Sequence, residues 1–276
     1  MTNRSIGPDR YYHPRDEDEL RELIALARRE GRTVRARGAA HSVHAAVFTD
    51  AYAGRDPDPD GINVVLDHFR GIRFDDATMR VTVQAGCNLG RDPGDPTGTS
   101  TIENSLFHQL HRRGWAFPDT GGIIHQTVAG FLGTGSSGGS LQHSVGDQIV
   151  ALELIDGLGR RHTLTPEGDQ DRFLAAGVSV GLLGLVIAVT FQCVPAFIII
   201  GQESTTSEDD CPIDLFGSGS NGRPSLETFF RQTEHSRLLW WPQEGVRRVV
   251  VWQGRRMTAE EARDPAYAHP DRKSVV

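Results

Sequence analysis

The chain has 276 residues, which at the usual scale of roughly 150 residues per domain corresponds to about two domains. Hydrophobic residues make up 38% and charged residues 24%, so global disorder is excluded, and a net charge of −7 excludes a nucleic-acid partner held by bulk positive charge. Lys273 is the only lysine among 29 basic residues, which removes a triphosphate-binding loop ending in Lys and an interior Schiff-base lysine.

Three cysteines, Cys87, Cys193 and Cys211, are an odd number without CxxC spacing, so neither a disulfide framework nor a zinc ribbon is expected. The 11 histidines are dispersed, with no HxH or HExxH string, and no metal is expected. The first 20 residues lack the layout of a secretory signal, which makes a cytoplasmic location the expectation. Residues 173–200 carry no charge and are long enough to cross a bilayer, but Gly177, Gly181, Gly184, Gln192 and Pro195 interrupt them. Two buried strands joined by a tight glycine turn are expected there, and no membrane contact.

In chain order, residues 16–30 read as an amphipathic helix. Leu20, Leu23, Ile24 and Ala27 fall at helical spacing, acids fill the first turn, Arg28 and Arg29 the last, and Gly31 follows. A short strand at 33–36 runs straight into Arg37-Gly38-Ala39-Ala40-His41-Ser42. A polar loop at 54–61 precedes strands at 62–66, 72–74 and 79–85. A turn-rich loop at 88–100 leads to a helix at 102–113 closed by Gly114. Residues 121–140 are small and glycine-rich, and strands follow at 148–155 and 161–164. Residues 201–223, acidic and rich in Ser and Gly, read as a linker. A helix at 226–237 and a strand at 246–252 come last, with Trp240 and Trp241 as core or interface packing residues.

Two segments carry the chemistry. The first loop follows a strand, and its small residues let backbone amides approach an anion, with His41 in their midst. The second, Thr127 to Gly139, is too apolar at Val128, Phe131 and Leu132 for a flexible linker. Gly133-Thr134-Gly135-Ser136-Ser137-Gly138 matches a bare GxGxxG string, but no helix with an apolar face follows it, so a Rossmann site is not expected.

Three strings in this order resemble the FAD-binding PCMH-type domain of the vanillyl-alcohol oxidase / p-cresol methylhydroxylase flavoproteins, in particular the sugar-lactone and alditol oxidase branch. They are RGxxHS (Arg37 to Ser42), TVAGxxxTGxxG (Thr127 to Gly138) and GxxGVIxxVT, whose counterpart here is Gly181 to Thr190. The resemblance implies an α+β fold, with a two-subdomain FAD-binding domain over 14–195 (subdomains 14–86 and 87–195). A linker at 196–224 and the start of an incomplete cap (substrate) domain at 225–276 would follow, leaving apolar faces open to self-association or a partner. It implies FAD held by Arg37, Gly38, Ala39, Ala40, His41 and Ser42 in the first loop. Thr127, Gly130, Thr134, Gly135, Ser136 and Ser137 would hold it in the second, and Val186 in the third. His41 matches a histidine that many members link covalently to the flavin.

The implied reaction is oxidation of a sugar-like alcohol or aldonolactone by hydride transfer to flavin N5, with electrons passed to oxygen or another acceptor. The alternative is an FAD-binding module or truncated remnant without turnover. Ala39 and Ala40 stand where the family often has glycine, Ser137 where it commonly has histidine, and the insertion at 91–101 is longer than the pattern. No catalytic acid or base is assigned; Asp119, His125 and His143 flank the second loop as candidates.

Overall fold

The computed structural model describes residues 7, 9–42, 61–95, 97–220 and 222–263. The polar loop expected at 54–61 falls almost wholly outside the described residues, as do residues 264–276. The chain divides into two compact units, the first made of residues 1–116, 123–136 and 148–194, the second of residues 117–122, 137–147 and 195–276.

In the first unit, helix α1 (Glu17–Glu30) begins where Asp16 accepts a hydrogen bond from the Glu19 amide at 2.9 Å. It ends at Gly31, whose φ of 66° is the left-handed conformation that closes a helix. Its buried stripe Leu20, Leu23, Ile24 and Ala27 packs into one cluster with Ile62, Val64, Ile155, Leu185 and Ile187. Strands β1 (Val34–Arg37) and β2 (Ile62–Val65) pair in parallel, and Tyr12 adds a parallel bridge to Val64.

The next elements are β3 (Ile72–Asp75), β4 (Arg80–Gln84), α2 (Leu106–Arg112) and α3 (Val128–Gly133). They are followed by β5 (Ile149–Ile155), β6 (Arg161–Leu164), α4 (Gln170–Gly177) and β7 (Leu185–Gln192). The strands β3 to β7 form one antiparallel sheet in the order β3-β4-β7-β5-β6. Alternation sorts its faces: Val81, Val83, Val189 and Phe191 are fully buried, while the Thr82 and Thr190 hydroxyls meet at 2.9 Å on the opposite side. The three thiols are buried, and burial pushes Cys87 up to about 11 and Cys193 up to about 12.

Several elements differ from the sequence reading. The apolar stretch 173–200, expected as two buried strands, opens with the end of helix α4, continues into β7 and reaches the first residues of the exposed strand Ile199–Ser207. Asp169 caps α4 by accepting from the Arg172 amide at 3.0 Å, and Phe173 and Ala176 are buried while Leu174 is exposed. A one-faced helix was masked by the absence of charge. Helix α2 starts at Leu106 because residues 102–105 form a turn closed by the Ser105 amide on Ile102 O. The glycine-rich stretch holds the six-residue helix α3. No helix among the described residues is long and apolar enough to cross a membrane.

In the second unit, β8 (Ile199–Ser207), α5 (Leu226–Gln232), β9 (His235–Trp241) and β10 (Arg248–Arg256) form a three-stranded antiparallel sheet ordered β8-β10-β9 with one helix. The expected linker therefore contains a strand. Its sequence is polar because β8 is an exposed edge, so composition gave no alternation to read. The helix expected over 226–237 stops at Gln232, and the remaining residues turn into β9. Phe229, Val249, Val251, Cys211 and Ile213 form this unit's core. Trp240 and Trp241, expected in core or interface packing, lie outside that core at 43% and 38% exposure; the Trp240 ring meets Phe216 edge-on at 5.0 Å and its Nε1 donates to Glu208 at 3.2 Å.

Two substitutions test the first unit. A Cβ at Gly86 would lie 1.8 Å from the carbonyl oxygen of Leu66, a backbone atom that cannot step aside. Gly86→Ala is therefore expected to lower stability by about 3 kcal/mol, at the upper end of overpacking, and thermal denaturation should show Tm falling by about 6–12 °C. His13 sits 2.9 Å from Asp67 and 3.1 Å from Asp9. Burial alone would lower its pKa, but hydrogen bonds to Asp67 and Asp9 outweigh that and raise it. The stabilisation is thus present in full below the ordinary histidine pKa and is lost as pH rises through the raised one. Chemical denaturation should show His13→Gln destabilising more at about pH 5.5 than at about pH 9.

Candidate functional site

Three segments distant in sequence converge on one cleft of the first unit. Arg37, Gly38, Ala39, Ala40, His41 and Ser42 line one part of it, Thr127, Gly130 and Thr134 another, and Gly181, Gly184 and Val186 a third. The cleft is open to solvent along one side, and its walls also carry Arg35, Asp67, Arg70 and Asn88.

The walls meet because glycine stands at Gly38. A Cβ there would be 2.4 Å from Thr127 Oγ1. That hydroxyl accepts from the Gly130 amide at 3.2 Å and caps α3. The Val128 and Ala129 amides donate to Cys87 O at 2.8 Å and Ala85 O at 3.1 Å, which fastens the helix to the chain leaving β4. Ala40 has a φ of 57°, a left-handed conformation that an L-residue adopts at a cost. The exposed His41 ring lies 5.6 Å from that of His125.

The electrostatics of the cleft are uneven. Arg35, Arg37 and Arg70 line it, each half-buried, and among the described residues none has a carboxylate partner. Arg35 Nη1 donates to Val180 O at 3.4 Å, Arg37 lies 5.4 Å above the Tyr11 ring, and Arg70 donates to Asn88 Oδ1 at 2.8 Å and Gly86 O at 3.1 Å. The buried Nε atoms of Arg35 and Arg70 have no hydrogen-bond partner. The carboxylates in the same wall are engaged elsewhere. Asp67 takes His13, Asp92 takes the Gly94 amide at 2.9 Å, and Asp95 takes the Ser100 amide at 2.7 Å. A cleft with three uncompensated guanidinium groups and glycine-lined walls fits a ligand that carries a diphosphate.

Of the residues expected to hold a cofactor, Arg37, Gly38, Ala39, Ala40, His41, Ser42, Thr127, Gly130, Thr134 and Val186 line this cleft. Gly135 and Ser136 do not line it; Ser136 Oγ accepts from Gln126 Nε2 at 3.0 Å instead. Ser137 belongs to the second unit. Arg35 and Arg70 were not singled out from the sequence. Arg35 stands two residues before Arg37 on β1, so strand alternation gave a signal for it, whereas Arg70 arrives by long-range packing.

The candidates Asp119 and His143 lie in the second unit. His143 Nε2 is 3.1 Å from Glu234 Oε1, and the His235 ring is stacked 6.4 Å from Phe197. Ligand atoms of His143, Glu234 and His235 fall within 4.8 Å of one another, a spacing a metal ion would accept. A cation is already beside them: Arg256 Nε lies 3.0 Å from Glu234 Oε1 and Arg256 Nη2 lies 3.3 Å from His143 Nε2. Burial disfavours the Glu234 carboxylate, but the Arg256 amide, at 2.8 Å from Oε2, and the His143 side chain overcome this and hold its pKa below the usual range.

Comparison with known proteins agrees with this geometry. The chain is 30% identical over 251 residues to D-arabinono-1,4-lactone oxidase of Eremothecium gossypii, covering 91% of this chain and 41% of that protein. It is 29% identical over 238 residues to mouse (Mus musculus) L-gulonolactone oxidase, covering 86% and 46%. The chain thus spans less than half the length of these relatives. Among solved structures, Physcomitrella patens BBE-like 1 superposes with a TM-score of 0.66 at 17% identity, covering 91% of this chain and 49% of that one. Cholesterol oxidase from Brevibacterium sterolicum also gives 0.66, at 16% identity, covering 89% and 44%. Both share the fold, a mixed α and β arrangement of the PCMH type. The family described as FAD binding domain matches residues 8–91 and 98–165, more than half of the chain and all of the first loop and α3, so this chain belongs to that family and FAD is its cofactor.

Proposed function

We propose that the chain is the flavin-holding part of an FAD-dependent oxidoreductase acting on CH–OH groups of sugar-like alcohols or aldonolactones, the class to which the lactone-oxidising relatives point. The observation that carries this reading is the cleft whose Arg35, Arg37 and Arg70 have no carboxylate partner among the described residues, two of its three walls being loops that the family match covers. When bound, FAD supplies the hydride acceptor, and its electrons then go to oxygen or another acceptor. The protein's part is to hold and orient. The three guanidinium groups would neutralise the diphosphate, and the glycine-lined approach at Gly38 would let backbone amides reach it.

His41 is the residue proposed to bond to the flavin. It stands exposed in the cleft wall with its ring 5.6 Å from that of His125, and it matches the histidine that many members of the family link to the flavin. Its neighbour Ala40 holds the loop's left-handed turn. A second reading is a module that binds FAD without turning over: among the described residues the carboxylates of the cleft wall, Asp67, Asp92 and Asp95, are already engaged by His13 and backbone amides.

The visible spectrum of the purified protein is the first test. A yellow protein whose flavin fluorescence stays with the polypeptide after acid denaturation, and loses that property in His41→Ala, establishes the cofactor and the link. Flavin released by acid retires the link and keeps the cofactor, whereas a colourless protein that takes up no added FAD overturns the proposal. Anaerobic bleaching of the flavin by an aldonolactone separates the enzyme from the binding module. Ala40→Gly, which relieves the left-handed alanine at a smaller entropic penalty, is expected to gain up to about 1 kcal/mol of stability. Thermal denaturation should show Tm rising by about 2 °C.

A further inference from the structure

The family match stops at residue 91 and resumes at 98. The skipped residues are not remote from the site: Asp92, Gly94 and Asp95 stand in the wall of the cleft. Their segment is closely bonded to itself. Asp95 accepts from the Ser100 amide at 2.7 Å, the Thr97 amide at 2.9 Å, the Thr97 hydroxyl at 2.7 Å and the Thr99 hydroxyl at 3.2 Å. Thr99 O accepts from Asn104 Nδ2 at 2.7 Å.

This turn ends on Arg70. Thr99 Oγ1 and Asn104 Oδ1 each accept from its guanidinium at 3.4 Å, beside the shorter bonds to Gly86 O and Asn88 Oδ1. All four acceptors are neutral, so the guanidinium is held in place from several sides while its charge is left uncompensated. A cation fixed this way at the edge of a cleft is arranged for an anion that arrives from outside the chain.

We propose that Asp95, acting through Thr99 and Asn104, forms a clasp that fixes Arg70 as a cationic contact for the diphosphate of bound FAD. Arg70 is then a binding residue that the family's three loops do not contain, and Asp95 is a positioning residue acting through it. The proposal rests on the FAD reading and adds to it a positioning residue, Asp95, from the stretch that the family match skips.

The test is FAD titration of apoprotein, read by quenching of flavin fluorescence on a His41→Ala background so that every variant binds reversibly. Arg70→Met is expected to weaken binding by about ten- to hundredfold, the range of one lost charge-assisted contact. It should also flatten the dependence of Kd on ionic strength, which loss of a purely structural side chain does not do. Asp95→Ala should weaken binding by a smaller factor, and the double variant should be no worse than Arg70→Met alone. Arg70→Lys keeps the charge without the fork and should recover part of the loss, with an apoprotein Tm close to that of the parent. Unchanged affinity in Arg70→Met and Arg70→Lys, or Arg70 and Asp95 effects that add, overturns the proposal. A parent that takes up no FAD is a different result, since it removes the cofactor reading itself.

Discussion

The contact between Gly38 and Thr127 is the constraint on which the site depends. One hydroxyl caps a six-residue helix and at the same time occupies the space that a side chain at position 38 would need. The first loop, fed by β1, and the second, fastened to the end of β4 by two amide hydrogen bonds, are thereby brought to van der Waals range. Each loop alone is a turn-rich segment with no core of its own. Together they make two walls of a cleft, and the glycine turn before β7 supplies the third.

The same region explains how a mostly acidic protein can present a cationic site. The net charge of −7 describes the whole surface and says nothing of local arrangement. Within the cleft the carboxylates of Asp67, Asp92 and Asp95 are tied to His13 and to backbone amides, whereas the arginines bond to carbonyls, amide oxygens and an aromatic face. Acid groups are consumed by structure, and basic groups are left for a ligand.

Much of this was legible in the sequence where the signal is local. Helix α1 declared itself through its cap, its stripe and Gly31, and the short strings around His41, Thr127 and Val186 pointed to one cofactor surface. Composition misled where burial and polarity part company. The polar edge strand β8 looked like a linker, and the uncharged face of α4 looked like a strand. Arg70 was invisible for a different reason: its role comes from partners 16 to 34 residues away, and no spacing rule links such positions. The position of Ser137 in the second unit likewise follows from tertiary contacts and not from the string that contains it.

The second unit is stitched from three stretches of chain, two of them short excursions between segments of the first unit. Gly139 O accepts the Ser236 amide at 2.6 Å, the Ser140 hydroxyl donates to Glu234 O at 2.5 Å, and Pro118 O accepts from Arg256 Nη2 at 3.5 Å, so both excursions are bonded to residues about a hundred positions or more later. Such pairings require closure of long loops before they return any stabilisation, and that makes their formation slow relative to local helices. During synthesis, the excursions at 117–122 and 137–147 emerge well before the strands that complete them. The polypeptide must therefore carry them unsatisfied until β9 and β10 have been made, which places the completion of the second unit late in the life of the nascent chain.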